Sequence, residues 1–165
     1  MDILIPVMMS ISIDLSSSRE GEIIMENVKL AEMIAAEAHK NQVDKGGHPY
    51  IEHPKAVAAG VTTELEKTVA WLHDVVEDTS FTLEDIESIF GNTVRDAVDA
   101  ITRREGEDRT AYLERVRANK TATAVKLSDL RHNSDLSRIS NRPLEEKDYE
   151  RVKKYKAEIQ LLNTD

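Results

Sequence analysis

Thr63-Glu64-Leu65-Glu66-Lys67-Thr68-Val69-Ala70-Trp71-Leu72-His73-Asp74-Val75-Val76-Glu77-Asp78 decides how the chain folds. Thr63 and Glu66 stand at capping-box spacing, where a hydroxyl accepts from the third amide of a helix and the carboxylate accepts from the first. Val69, Leu72 and Val76 then recur at helical period. The spacing predicts one helix running through Asp78. Residues four apart on a helix lie nearly above one another, so His73 stacks with Glu77 and Asp74 with Asp78, giving two polar rows side by side. Trp71, Leu72, Val75 and Val76 supply the apolar face. Rows of this kind either border a cavity or form a solvated, self-paired helix surface, worth only a few tenths of a kcal/mol per pair.

Outward from this stretch, helical periodicity dominates. Val28 to Ala38 makes a helix ending near Asn41, followed by a loop from Gln42 to Tyr50 broken by Gly46, Gly47 and Pro49. Pro54 fits the first turn of a short helix that stops near Gly60. Thr82 with Asp85 repeats the capping device ahead of Ile86 and Phe90, and Gly91 ends that helix. Further helices follow through Val94 to Ile101, around Tyr112 to Val116, from Ala122 to Leu136, and from Pro143 to Leu162. No alternating run rich in Val, Ile and Thr stands out, so the expected fold is all-α, a single helical bundle. Residues 1–24 read as an N-terminal extension, either an appendage or an upstream start, and residues 25–165 as the domain.

The chain has 165 residues, suited to one core, and a formal net charge of -9. That charge disfavours a nucleic-acid phosphate backbone as partner. There is no cysteine, which excludes disulfides and thiolate metal sites and fits a cytoplasmic protein. Ile3 to Ile13 is too short to span a bilayer, so no membrane partner is expected. A homo-oligomer is left open.

Of the five histidines, His53 opens a helix, where backbone donors disfavour its protonation and leave the ring available to a metal. His73 and Asp74 offer a nitrogen and an oxygen from adjacent positions. Asp129 puts a carboxylate inside an apolar helical pattern, where a buried charge needs a partner. Together these four give two imidazoles and two carboxylates, a set suited to manganese, iron or zinc better than calcium. Each also has a plainer reading as a hydrogen-bonded structural residue. Asn133, one turn past Asp129, could hold a ligand or a substrate oxygen, and His132 could do the same or cap the helix.

In order along the chain, Ala38-His39-Lys40, Pro49-Tyr50-Ile51-Glu52-His53-Pro54, Trp71 to Asp78, Thr82-Leu83-Glu84-Asp85-Ile86, Lys126-Leu127-Ser128-Asp129 and His132-Asn133 resemble the HD superfamily of metal-dependent phosphohydrolases. Within it, the chain is most similar to the RelA/SpoT hydrolase domain and the small alarmone hydrolases. The resemblance implies an HD-domain helical bundle and a divalent ion on His53, His73, Asp74 and Asp129, with Mn2+ the first expectation and Fe2+ or Zn2+ the alternatives. It also implies that Glu77 and Asp78 serve the hydrolytic step and that the substrate is (p)ppGpp, from which pyrophosphate leaves the 3′ position. Lys45 resembles the family's phosphate-binding lysine and otherwise is an exposed loop charge.

Arg103, Arg104, Arg109, Arg115, Arg117 and Lys120 cluster within eighteen residues. Arg104 and Arg109 are taken as polyphosphate contacts, against the alternative of a solvated helix face. Tyr112 is taken as a base or ribose contact, against core packing. Two departures from the family pattern bear on the substrate. Asp44 stands where an arginine usually forms a platform for guanine, and an acid cannot do that. Leu130 and Arg131 are exchanged, which turns the arginine about 100° around the helix. With no room for a synthetase domain, the expected activity is hydrolysis alone. The alternatives are an HD-type nucleotidase or pyrophosphatase acting on another nucleotide, or a catalytically silent nucleotide-binding regulatory module.

Overall fold

Helices account for nearly all regular structure in the computed structural model, which describes residues 20–164. In chain order they are α1 (Glu20–Ala38), α2 (Glu52–Ala59), α3 (Glu64–Leu72), α4 (Val75–Asp78), α5 (Leu83–Phe90), α6 (Asn92–Ile101), α7 (Arg109–Arg117), α8 (Lys120–Asn133), a 3-10 turn (Leu136–Arg138) and α9 (Glu146–Leu162). Among the described residues the only β pairing is an isolated antiparallel bridge between Val43 and Pro49, and the fold is all-α as expected. Residues 1–19 of the expected extension lie outside the described residues. α1 begins at Glu20, so the expected boundary at Met25 falls within a helix.

Local chemistry sets the helix starts. Both capping boxes form: Thr63 Oγ1 accepts from the Glu66 amide at 3.1 Å while Glu66 Oε2 accepts from the Thr63 amide at 2.9 Å, and Thr82 with Asp85 does the same. The helix expected to run from Thr63 through Asp78 does not stay continuous. α3 ends at Leu72, and Asp74, at φ -106° and ψ -5°, turns the chain into the single turn of α4. The break falls at the pair His73-Asp74, where adjacent side chains on an unbroken helix would diverge by about 100°.

α3 and α8 form the centre. α3 packs on α1, α2, α6 and α8, while α8 also touches α2, α6, α7 and α9. Leu72, Val69, Val98, Val116 and Val125 meet there, all fully buried. α2 and α8 approach closely at one point, where Ser128 Oγ donates to the Val57 carbonyl at 2.9 Å. A Cβ at Gly60 would come within 2.2 Å of that hydroxyl, so the residue ending α2 has room for hydrogen only. Three helices carrying candidate ligands are thereby held in mutual contact. No described helix is long and apolar enough to cross a membrane.

Leu72 buries its whole side chain one residue before the break. Leu72→Ala should lower unfolding free energy by about 2–5 kcal/mol, since the cavity left behind adds to the lost transfer energy. Urea denaturation checks this, and a loss under about 1 kcal/mol would show that the centre of the bundle is loosely packed.

Candidate metal centre

His53 lies in the first turn of α2, His73 and Asp74 at the α3–α4 junction, and Asp129 midway along α8. Their polar atoms converge. His53 Nε2 lies 3.1 Å from Asp129 Oδ1, 3.3 Å from His73 Nε2 and 3.7 Å from Asp74 Oδ2, and His73 Nε2 lies 3.1 Å from Asp74 Oδ2. His53, His73 and Asp129 each bring one donor atom within 4.8 Å of the other two. Asp74 stands at the more open edge of the group, its side chain 22% exposed.

The opposite edges of the imidazoles fix which nitrogen faces inward. His73 Nδ1 lies 2.6 Å from the Ala70 carbonyl, which only accepts, so this nitrogen carries the proton and donates. His53 Nδ1 lies 2.7 Å from His132 Nδ1, and one proton serves that contact. When His53 is the donor there, both inward nitrogens offer lone pairs to one point, alongside two carboxylate oxygens. Such a set repels itself unless a cation or a proton sits among its members, and the mix of nitrogen and oxygen donors fits a divalent metal ion.

Protonation answers the same need when no metal is bound. Burial alone would push His73 down, but Asp74 and then Asp129 outweigh it and raise its pKa to about 9. Burial would raise Asp74 and Asp129 as well. His73 holds the first well below the usual carboxylate range, and Lys126 with both imidazoles does so for the second. His132 moves the other way, to about 4, through burial and the nearby Arg138 and His53, and stays neutral at pH 7.

Further contacts orient the carboxylates. Lys126 Nζ donates to Asp129 Oδ2 at 2.7 Å and Asn133 Nδ2 to Asp129 Oδ1 at 2.6 Å, while the Tyr50 hydroxyl donates to Asp74 Oδ2. Burial and Asp74 keep the Tyr50 proton in place. Sequence reasoning assigned no role to Lys126 or Tyr50. Lys126 was detectable, since it lies three residues before Asp129 on one helix face. Tyr50 had no local signal, because its partner is distant in sequence.

Two cavities meet at this centre. A polar one of about 210 Å3 is lined by Glu77, Arg103, Arg109, Lys126 and the four donor residues. A larger one of about 350 Å3 is lined by Lys45, Arg138, Arg151, Ile139 and Tyr155 among others, and shares Tyr50, His53 and Asn133 with the first. Glu77 Oε2 accepts from the Arg103 amide at 3.2 Å, which ties α4 to the segment after α6. Asp78 is exposed and lines neither cavity. Partial desolvation by the protein on its inner side, together with Asp74 and Glu77, raises its carboxyl while His39 opposes them.

The basic cluster is less available than expected. Arg104 pairs with Asp99 at 3.3 Å and lines neither cavity, so it is not brought to the site. Arg109 does line the polar cavity, but Glu158 already engages it through two bonds of 2.9 and 2.6 Å. Tyr112 borders the same cavity as a core residue, 2% exposed, its hydroxyl on the Ile101 carbonyl at 2.6 Å. Arg109, Arg115 and Lys126 surround its ring at 5.0 to 5.6 Å, which leaves no face open for a base. Acids from other parts of the chain thus hold Arg104, Arg109 and Arg115, while Arg103 lines the polar cavity.

Residues 31–137 match the family profile of the HD domain. The chain belongs to the HD-domain family. It is 36% identical over 132 residues to guanosine-3′,5′-bis(diphosphate) 3′-pyrophosphohydrolase MESH1 of Danio rerio, across 72% of this chain and 71% of that protein. To the bifunctional (p)ppGpp synthase/hydrolase SpoT of Escherichia coli it is 37% identical over 83 residues, 48% of this chain but only 12% of the relative's length. A solved structure, described as a metazoan ortholog of SpoT that hydrolyzes ppGpp, superposes with a TM-score of 0.68 at 25% identity, covering 89% of each chain.

With the cation removed by chelator, the centre should make stability pH-dependent in a definite direction. The folded pKa of His73, about 9, lies above its ordinary value of 6.5. Its contribution is therefore complete below pH 6.5 and is lost as pH rises through about 9. Urea titrations of the chelated protein from pH 6 to 10 should show this decline, and His73→Asn should flatten it. An equal decline in His73→Asn would assign the effect to another group.

Proposed function

We propose that the domain expected over residues 25–165 is a manganese-dependent phosphohydrolase that releases pyrophosphate from the 3′ position of a guanosine polyphosphate, and that it works in the cytoplasm. The observation that carries the reading is the convergence of His53, His73, Asp74 and Asp129 beside Glu77 in one polar cavity. The names of the MESH1 and SpoT relatives support the substrate, and the nitrogen-and-oxygen donor set supports manganese.

The four residues would hold the ion, which when bound supplies Lewis acidity, making water acidic and offsetting charge on the phosphoryl group. The chain's own residues do the rest. Glu77, in the cavity with the donors, accepts the proton of the attacking water, and Asp78, outside the cavity, acts on that step only through its charge beside Asp74 and Glu77. Lys126 and Asn133 keep Asp129 fixed, and Tyr50 does the same for Asp74. Lys45 and Arg151 hold phosphates in the larger cavity, and Arg109 contributes positive potential from its Glu158-bound position in the smaller one. Water attacks phosphorus and the bond to the ribose 3′ oxygen breaks; the proton taken by Glu77 passes to that oxygen through solvent, so that pyrophosphate and a free 3′ hydroxyl result.

Asp44 favours a second reading, in which a nucleotide other than a guanosine polyphosphate is cleaved by the same machinery. A panel of nucleotides with Mn2+ distinguishes the two, with pyrophosphate from (p)ppGpp expected and orthophosphate from other nucleotides marking the alternative. Glu77→Ala should retain its metal and lose roughly 100-fold or more in kcat. Wild-type turnover in that variant would remove Glu77 from the mechanism.

A further inference from the structure

We propose that Arg138, positioned by Asp44, supplies the flat cationic surface on which the larger cavity holds a nucleobase. The proposal rests on the nucleotide reading above and assigns the base-selecting residue within it.

Asp44 looks misplaced on a cavity wall meant for an anionic substrate, yet both its oxygens are engaged by the protein. Oδ1 accepts from the Gly46 and His48 amides at 2.8 and 3.0 Å, and Oδ2 accepts from Arg138 Nη2 at 2.8 Å. These donors outweigh the burial that would raise its carboxyl, so Asp44 stays ionised. Arg138 Nη1 donates to the His132 carbonyl at 3.1 Å. Backbone packing holds the same geometry. A Cβ on Gly46 would lie 2.3 Å from the Arg138 carbonyl oxygen, so the loop and the 3-10 turn touch where only glycine fits.

This bonding decides what Arg138 can offer a ligand. Each terminal nitrogen spends one hydrogen bond on the protein and the charge is balanced by Asp44, which fixes the orientation of the group and weakens it as a phosphate anchor. These bonds are made at the edge of the group and do not occupy the face of the guanidinium plane, which stacks on aromatic rings in a way an ammonium cannot. Arg138 lines the cavity together with Val43, Ile139 and Tyr155, and keeps 23% of its side chain exposed. The phosphate-binding charges in that cavity have a different character. Lys45 has no ion pair among the described residues, and Arg151 makes a single 3.0 Å bond to Asp148 that leaves most of its fork unused. The cavity is thus divided between cations able to take phosphate and one cation locked as a plate.

The test measures binding of GDP and of inorganic pyrophosphate to the Mn2+-loaded full-length protein by calorimetry. Arg138→Ala should weaken GDP about tenfold, from the loss of one cation–π contact, and leave pyrophosphate unchanged. Arg138→Lys keeps the charge without the plane and should be as weak for GDP as Arg138→Ala, so it carries the test if the alanine variant does not fold. Asp44→Asn, which releases the plate, should weaken GDP alone. Wild-type GDP affinity in Arg138→Lys, or equal losses for GDP and pyrophosphate in Arg138→Ala, would overturn the assignment. A wild-type protein that binds no nucleotide overturns it together with the proposed function. If the wild type binds GDP with the expected variant contrast yet hydrolyses no guanosine polyphosphate, the activity reading fails and the role of Arg138 stands.

Discussion

A carboxylate buried at the centre of a helical bundle must be compensated, and the structure is arranged around that requirement at Asp129. The side chain is 4% exposed on α8, the helix in contact with most of the others. An unpaired charge there would cost several kcal/mol, so partners have to arrive from several elements. Lys126 takes one oxygen and Asn133 the other, and His53 Nε2 stands 3.1 Å from that second oxygen. Asp74 then brings a second negative charge toward the same point. With neutral imidazoles, two carboxylates face one lysine, and the balance is restored by a proton on His73 or by a metal ion. The acid–base behaviour of the site and its affinity for a cation therefore have one origin.

The bundle supplies the geometry through a departure from ideal helix. Adjacent residues on a continuous helix diverge, yet His73 Nε2 and Asp74 Oδ2 come to 3.1 Å. The turn at Asp74 makes this convergence possible and sends Glu77 into the polar cavity on α4 while Asp78 stays outside it. Close contact between α2 and α8 at Gly60 and Ser128 brings His53 to Asp129. Fold and site thus depend on the same few contacts.

Much of this was legible in the chain. Both capping boxes, the Gly60 and Gly91 helix ends and the all-α class followed from local rules that the structure obeys, because capping and periodicity act over a few residues. The four converging side chains were also identifiable, although their meeting needed the ordered set of motifs as well as spacing. The break at Asp74 was not visible, since Trp71 to Asp78 satisfies helical periodicity throughout. Arg104, Arg109 and Tyr112 looked available because their partners lie outside the helix that suggested them: Asp99, Glu158 and the Ile101 carbonyl. Asp44 read as a lost recognition element, whereas in three dimensions it holds Arg138, 94 residues away.

Whether these four side chains share one divalent ion is decided by anomalous diffraction at the manganese edge from crystals grown with Mn2+. One anomalous peak is expected within about 2.0–2.3 Å of His53 Nε2, His73 Nε2 and a carboxylate oxygen from each of Asp74 and Asp129. A manganese peak bound elsewhere, or none between these residues in manganese-saturated crystals, would contradict it.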